Sequence, residues 1–197
     1  MSVAVETWFG DAFELLHPSL QALHRSGGTL SGTVDVRLGA GLAGWIGRRL
    51  ARQLGIPARD GAMPMSVSIY GNEKELHWDR TFNEAYTFTS TFTPSGSYPY
   101  GHWIESSGRL RLNLGVSIVN GGWIWRPMGG RLWGIPIPIL LLPRTSASKR
   151  IEGGLYQFNV DVGLPLLGTA LSYSGKLVLE PLHQEKPLVT SSSKNTQ

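Results

Sequence analysis

The chain has 197 residues, enough for one domain with a substantial core, and its 16% charged residues and 25 glycines favour a β-rich fold with many turns over a helical bundle. It contains no cysteine, which excludes disulfides and thiolate metal sites and suits a reducing cytoplasm. The net charge of +4 is mild and scattered, densest at Arg48, Arg49 and Arg52, and this is not the concentrated basic and aromatic surface of a nucleic-acid binder.

Residues 1–10 carry Glu6 and no basic residue ahead of an apolar run, unlike a signal peptide. Residues 11–25 read as a helix, with Phe13, Leu16, Leu20 and Leu23 at helical spacing and Pro18 as a kink or restart. Residues 30–37 alternate between Leu30, Val34, Val36 and the polar Thr33, Asp35, Arg37, which predicts a half-buried strand. A second helix over 42–54 places Trp45, Ile46, Leu50 and Leu54 on one face and arginines on the other; Gly55 and Pro57 end it.

From Met65 the period becomes two. Strands are predicted over 65–70, 76–82, 85–93, 101–106, 110–119, 122–127, 155–162 and 169–179, most of them separated by short turns. Asn120-Gly121 is the strongest of the hairpin signals. Turns this short join antiparallel strands, because a parallel crossover takes a dozen or more residues. The expected fold is mainly β: a curved antiparallel sheet or lipocalin-like barrel of eight or nine strands, with two N-terminal helices packed on one face or mouth. It forms a single domain over residues 1–180. The polar residues 181–197 read as a disordered tail. The greasiest stretch, 134–143, is far shorter than the ~20 residues of a spanning helix and is broken by prolines, so no integral membrane segment is expected.

Gly39-Ala40-Gly41-Leu42-Ala43-Gly44 spells G-x-G-x-x-G between a strand and a helix, as a dinucleotide site requires. With 25 glycines in 197 residues, roughly 0.4 such matches arise by chance, so context must decide. The preceding strand is half polar and no second β-α-β unit follows, which removes the context. The glycines are read as a turn into the helix, and no cofactor is expected. The five histidines lack ligand spacing, so no metal site is expected. No G-x-S-x-G elbow occurs.

The candidate site comes from aromatic and charged residues sharing faces. Trp78, Arg80 and Phe82 alternate on one face of their strand, and Glu105 shares a face with Trp103. Trp123 and Trp125, two apart, also face one way. A charge on an apolar face needs a partner or an opening to water. The pair is therefore either a structural clamp or part of a site, and in both cases Arg80 and Glu105 are expected on the concave side within reach of each other. The leading expectation is a barrel that binds an apolar or amphipathic small molecule, with Trp78, Phe82, Trp123 and Trp125 beside it and Arg80 and Glu105 as polar contacts. The alternative is an enzyme (cyclase, isomerase or hydratase) acting on a hydrophobic metabolite, with Glu105 as acid or base and Arg80 as clamp. A third reading has the basic helix docking a partner or an anionic membrane.

The run Leu16-His17-Pro18, then Leu50 with Gly55-Ile56-Pro57, Trp78-x-Arg80-x-Phe82, Ser90, Glu105 and Gly108 resembles the bacterial family called domain of unknown function 4166. Gly134, Pro138, Pro143, Phe158, Pro165-x-x-Gly168 and Tyr173-x-Gly175 extend the resemblance over residues 13–179. Similar chains occur alone or fused behind oxidoreductase domains of the saccharopine-dehydrogenase-like or epimerase type. The resemblance thus implies small-molecule metabolism and association with an oxidoreductase, and it assigns no catalytic residue.

Overall fold

A computed structural model describes residues 3–53, 55–138, 142 and 144–180. Three expectations reach beyond them: Leu54 as the last residue of the second helix, the apolar stretch 134–143 at residues 139–141 and 143, and the polar tail from residue 181.

Alternating apolar residues drive the chain into β1 (Gly28–Leu38), β2 (Gly61–Gly71), β3 (Leu76–Phe82), β4 (Tyr86–Ser95), β5 (His102–Ser107), β6 (Leu110–Val119) and β7 (Gly122–Leu132). The short β8 (Ile135–Pro136) folds back on β7; β9 (Arg144–Glu152), β10 (Leu155–Leu164) and β11 (Gly168–Glu180) follow. Each strand from β1 to β7 pairs with the next. β7 also pairs with β9, and β9, β10 and β11 lead back to β1. Every pairing is antiparallel, and ten strands close into a barrel. Closure removes the unpaired edges that an open sheet would expose.

The anticipated eight or nine strands roughly match the ten of the barrel, and the one without a sequence signal is β9. Its sequence, Arg-Thr-Ser-Ala-Ser-Lys-Arg-Ile-Glu, lacks an apolar alternation because the barrel interior there is faced by Ala147 and Lys149. At Asn120-Gly121 both residues have positive φ, as a two-residue type I′ hairpin demands.

The first predicted helix is two elements. A 3-10 turn covers Gly10–Leu15, Leu16 is extended, and α2 (Pro18–Ser26) starts afresh with Pro18 in its first turn. The His17 ring caps α2, accepting a hydrogen bond from Ser19 N at 3.2 Å. An unanticipated helix, α1 (Val3–Phe9), precedes them. Together they plug one end of the barrel. Ala4 N donates to Asn72 O, His17 N to Gly121 O and Tyr98 N to Trp8 O, so the plug is tied to three strand turns. Trp8, Phe9, Phe13, Tyr98, Trp103 and Trp123 fill the space beneath it with tilted and edge-to-face aromatic contacts.

The other long helix, α3 (Gly41–Gln53), joins β1 to β2 at the opposite end. Its buried stripe is Ala43, Gly44, Gly47 and Ala51, packed against β11. This corrects the predicted face: Trp45, Ile46 and Leu50 turn toward the barrel mouth together with Arg49. Small residues win the buried side because the helix lies almost on the backbone of β11. A Cβ on Gly47 would collide with Ala170 O, one on Gly39 with Thr169 O, and one on Gly44 with Gly39 O. Gly41 has φ +55° at the turn into the helix. Each glycine of the G-x-G-x-x-G string thus has a backbone role: Gly39 lies against β11, Gly44 packs on the Gly39 carbonyl, and Gly41 takes the positive φ of the turn.

Candidate functional site

The barrel interior is not filled by side chains. A cavity of about 860 Å³ runs from a floor near Trp78, Trp125 and Lys149 to a mouth bordered by α3, Gly108-Arg109 and Trp133. Its walls are mostly apolar, among them Met65, Val67, Phe88, Phe92, Leu112, Leu114, Phe158 and Val160.

Into this apolar lining the strands place a short polar chain. Arg80 on β3 is 8% exposed, and Ser90 on β4 is fully buried. Arg80 Nη1 donates to Ser90 Oγ at 3.0 Å, and Ser90 Oγ donates to Glu105 Oε1 at 2.8 Å. Strand register makes this possible: Trp78 faces Ser90, Arg80 faces Phe88, and Phe92 faces Glu105. Ser90 therefore sits one diagonal step from both charges, where a hydroxyl can bridge them. The guanidinium also lies 5.0 Å from the Trp78 ring and 4.7 Å from that of Phe88, so aromatic faces replace part of its lost hydration.

A second cation enters from β9. Lys149 is 3% exposed, and its Nζ stands 3.5 Å from the Trp123 ring centroid, 4.2 Å from that of Trp78 and 3.0 Å from His24 Nε2. Burial, reinforced by the nearby Arg80 charge, holds the Lys149 ammonium well below its ordinary pKa. Burial and the Lys149 charge likewise hold His24 well below the usual imidazole value. Tyr156 and Tyr173 also line the cavity; burial pushes both phenols up, with Arg80 opposing, so they stay protonated donors near that guanidinium.

The residues singled out from sequence separate into two groups. Trp78, Arg80, Glu105 and Trp125 all line the cavity. Arg80 and Glu105 face the same interior and are linked through Ser90 rather than directly. Phe82 and Trp123 do not line it. Phe82 is fully buried edge-on to Tyr173, and Trp123 lies under the floor against His24 and Phe9. Ser90 and Lys149 are the additions. Ser90 had a readable signal, a lone hydroxyl at two-residue spacing between Phe88 and Phe92. Lys149 had none, because its strand was not legible.

Among the described residues, no group of three or more His, Asp or Glu side chains is placed to hold a metal ion. No described helix is long and apolar enough to cross a membrane.

The family model described as domain of unknown function (DUF4166) matches residues 16–177. The chain belongs to this family. No curated protein matches it. The DUF4166 region takes in the barrel, α2 and α3, and with them Arg80, Ser90, Glu105 and Lys149; α1 falls before it.

Proposed function

We propose that this DUF4166 barrel binds an amphipathic small molecule, with its polar head at the Arg80–Ser90–Glu105 chain and its apolar body running toward the mouth. The observation that carries the reading is the cavity itself. Its volume of about 860 Å³ is of drug or lipid size, its walls are apolar, and a few convergent polar groups lie at depth. Small barrels fill their interiors with side chains, whereas wider ones leave room for a ligand. A structural clamp alone accounts for the ion chain but not for the empty space beside it.

Titration of the intrinsic tryptophan fluorescence with medium- and long-chain fatty acids tests the proposal, because Trp78 and Trp125 form part of the wall. Saturable quenching at micromolar concentration, with one acyl chain retained per protein in native mass spectrometry, is the expected result. Absence of retained ligand across fatty acids, fatty alcohols and polyketide-like aromatics refutes it. Catalysis in the same cavity, with Glu105 as acid or base and Arg80 as clamp, is favoured by the accepting carboxylate at the wall; retained molecules of altered mass would identify it.

A further inference from the structure

We infer that the open end of the barrel is a docking surface for anionic phospholipid membranes. Because every strand pair is antiparallel, alternate connections emerge at opposite ends. Helix α3, the β5–β6 turn, the β7–β8 hairpin and the β10–β11 turn all leave the end opposite the α1–α2 plug. These connections hold out large apolar side chains: Leu166 is fully exposed, and Ile135, Leu42, Trp45 and Trp133 are 57–68% exposed. A single exposed leucine is ordinary; several around one rim mark an interaction surface. Two tryptophans among them suit a membrane interface, where an indole takes the headgroup boundary.

Charge selects the partner. Arg48, Arg49, Arg52, Arg59, Arg109 and Arg131 belong to the same end, against Asp60 and Glu84, while Arg37 and Asp35 there neutralise each other as a pair. Among the described residues none of these six arginines is held in an ion pair. The plugged end has the opposite balance: Glu6, Asp11, Glu14, Glu73, Glu75 and Glu152 outweigh Arg25, Lys74 and Arg150. The molecule is thus polarised along the barrel axis, and an anionic leaflet attracts the rim while repelling the plug. Apolar tips set among arginines are the composition of an interfacial anchor. Trp45, Arg49, Arg109 and Trp133 also line the cavity, so a docked rim sets the mouth at the lipid surface.

Vesicle flotation of the full chain tests this, comparing phosphatidylcholine alone with mixtures containing about one third phosphatidylglycerol. The protein is expected to float with the anionic vesicles only and to be released by about 0.5 M salt. R52E/R131E and I135S/L166S, which change exposed positions away from the cavity wall, should each weaken binding at least ~10-fold. E73K/E75K at the plugged end should not weaken it. Circular dichroism establishes that each variant is folded, and fatty-acid quenching, read separately, should be unchanged by the rim variants. Failure to float at low salt overturns the inference, as does equal loss from rim and plug variants. Dimerisation abolished by I135S/L166S without vesicle binding also overturns it.

Discussion

Ser90→Ala removes one oxygen from a fully buried position, and the structure sets what that should cost. The hydroxyl accepts from the Arg80 guanidinium at 3.0 Å and donates to the Glu105 carboxylate at 2.8 Å. Hydrogen bonds to charged groups contribute about 1.5–3 kcal/mol each, and the charges they leave behind sit against apolar walls. Water in the adjoining cavity can replace part of both bonds, which reduces the sum to about 2 kcal/mol net. For a domain of this size that corresponds to a fall in Tm of about 4–8 °C. The control is the Thr81–Thr87 pair, whose hydroxyls meet at 2.9 Å on the exposed surface; Thr87→Ala there should cost about 0.5 kcal/mol or less. Urea denaturation at fixed pH reads both, and a double-mutant cycle with Glu105→Gln should give a coupling above ~1 kcal/mol. Strict additivity in the cycle, or a Ser90→Ala loss no larger than that of Thr87→Ala, would refute the bridge.

Arg80→Met should weaken fatty-acid quenching ~10- to 100-fold while moving Tm by less than ~5 °C, because the thioether keeps the packing against Trp78 and Phe88; a large fall in Tm with unchanged affinity means a clamp. Lys149 gives a pH signature. Its folded pKa is depressed, so the unfolded chain holds the proton to higher pH, and stability should rise with pH from the depressed value up to the ordinary 10.5. Lys149→Met should flatten that rise in urea titrations at pH 7 to 10, and an unchanged slope counts against burial of the amine. Gly47→Ala should lower stability by more than ~3 kcal/mol in the same assay, since the added methyl meets the Ala170 carbonyl of β11 rather than a movable side chain.

Much of the barrel was legible because each strand wall alternates. β3 and β6 match their predicted spans end to end, and Asn120-Gly121 marks its hairpin through the positive φ both residues adopt. β9 failed for a physical reason. Its inward positions include Ala147 and Lys149, the latter held by aromatic faces on other elements, so the strand carries no periodic apolar signal of its own. α3 shows the converse error. Hydrophobic size pointed to Trp45, Ile46 and Leu50 as the buried face, but a helix lying on a strand backbone buries its glycines and alanines and leaves the large side chains for the cavity.

The same logic explains how far the site could be read. Period two on β3 and β5 placed Arg80 and Glu105 on interior faces, yet pairing register, which sequence does not state, decides that Ser90 stands between them. Register also brings Lys149 opposite Trp123 and within the field of Arg80. The deep end of the cavity therefore holds the Arg80 guanidinium and the Lys149 amine, with one carboxylate already engaged through a hydroxyl. Aromatic faces offset part of the cost of burying them, but by about 0.5–2 kcal/mol per contact, against several kcal/mol for each desolvated ion. An anionic head group entering from the mouth would meet Arg80 and the protonated Tyr156 and Tyr173 as donors. It would also favour the charged form of Lys149, which burial and the Arg80 charge disfavour. On the proposed function, ligand binding and proton uptake at Lys149 are then coupled, and carboxylates should be preferred over alcohols of the same chain length.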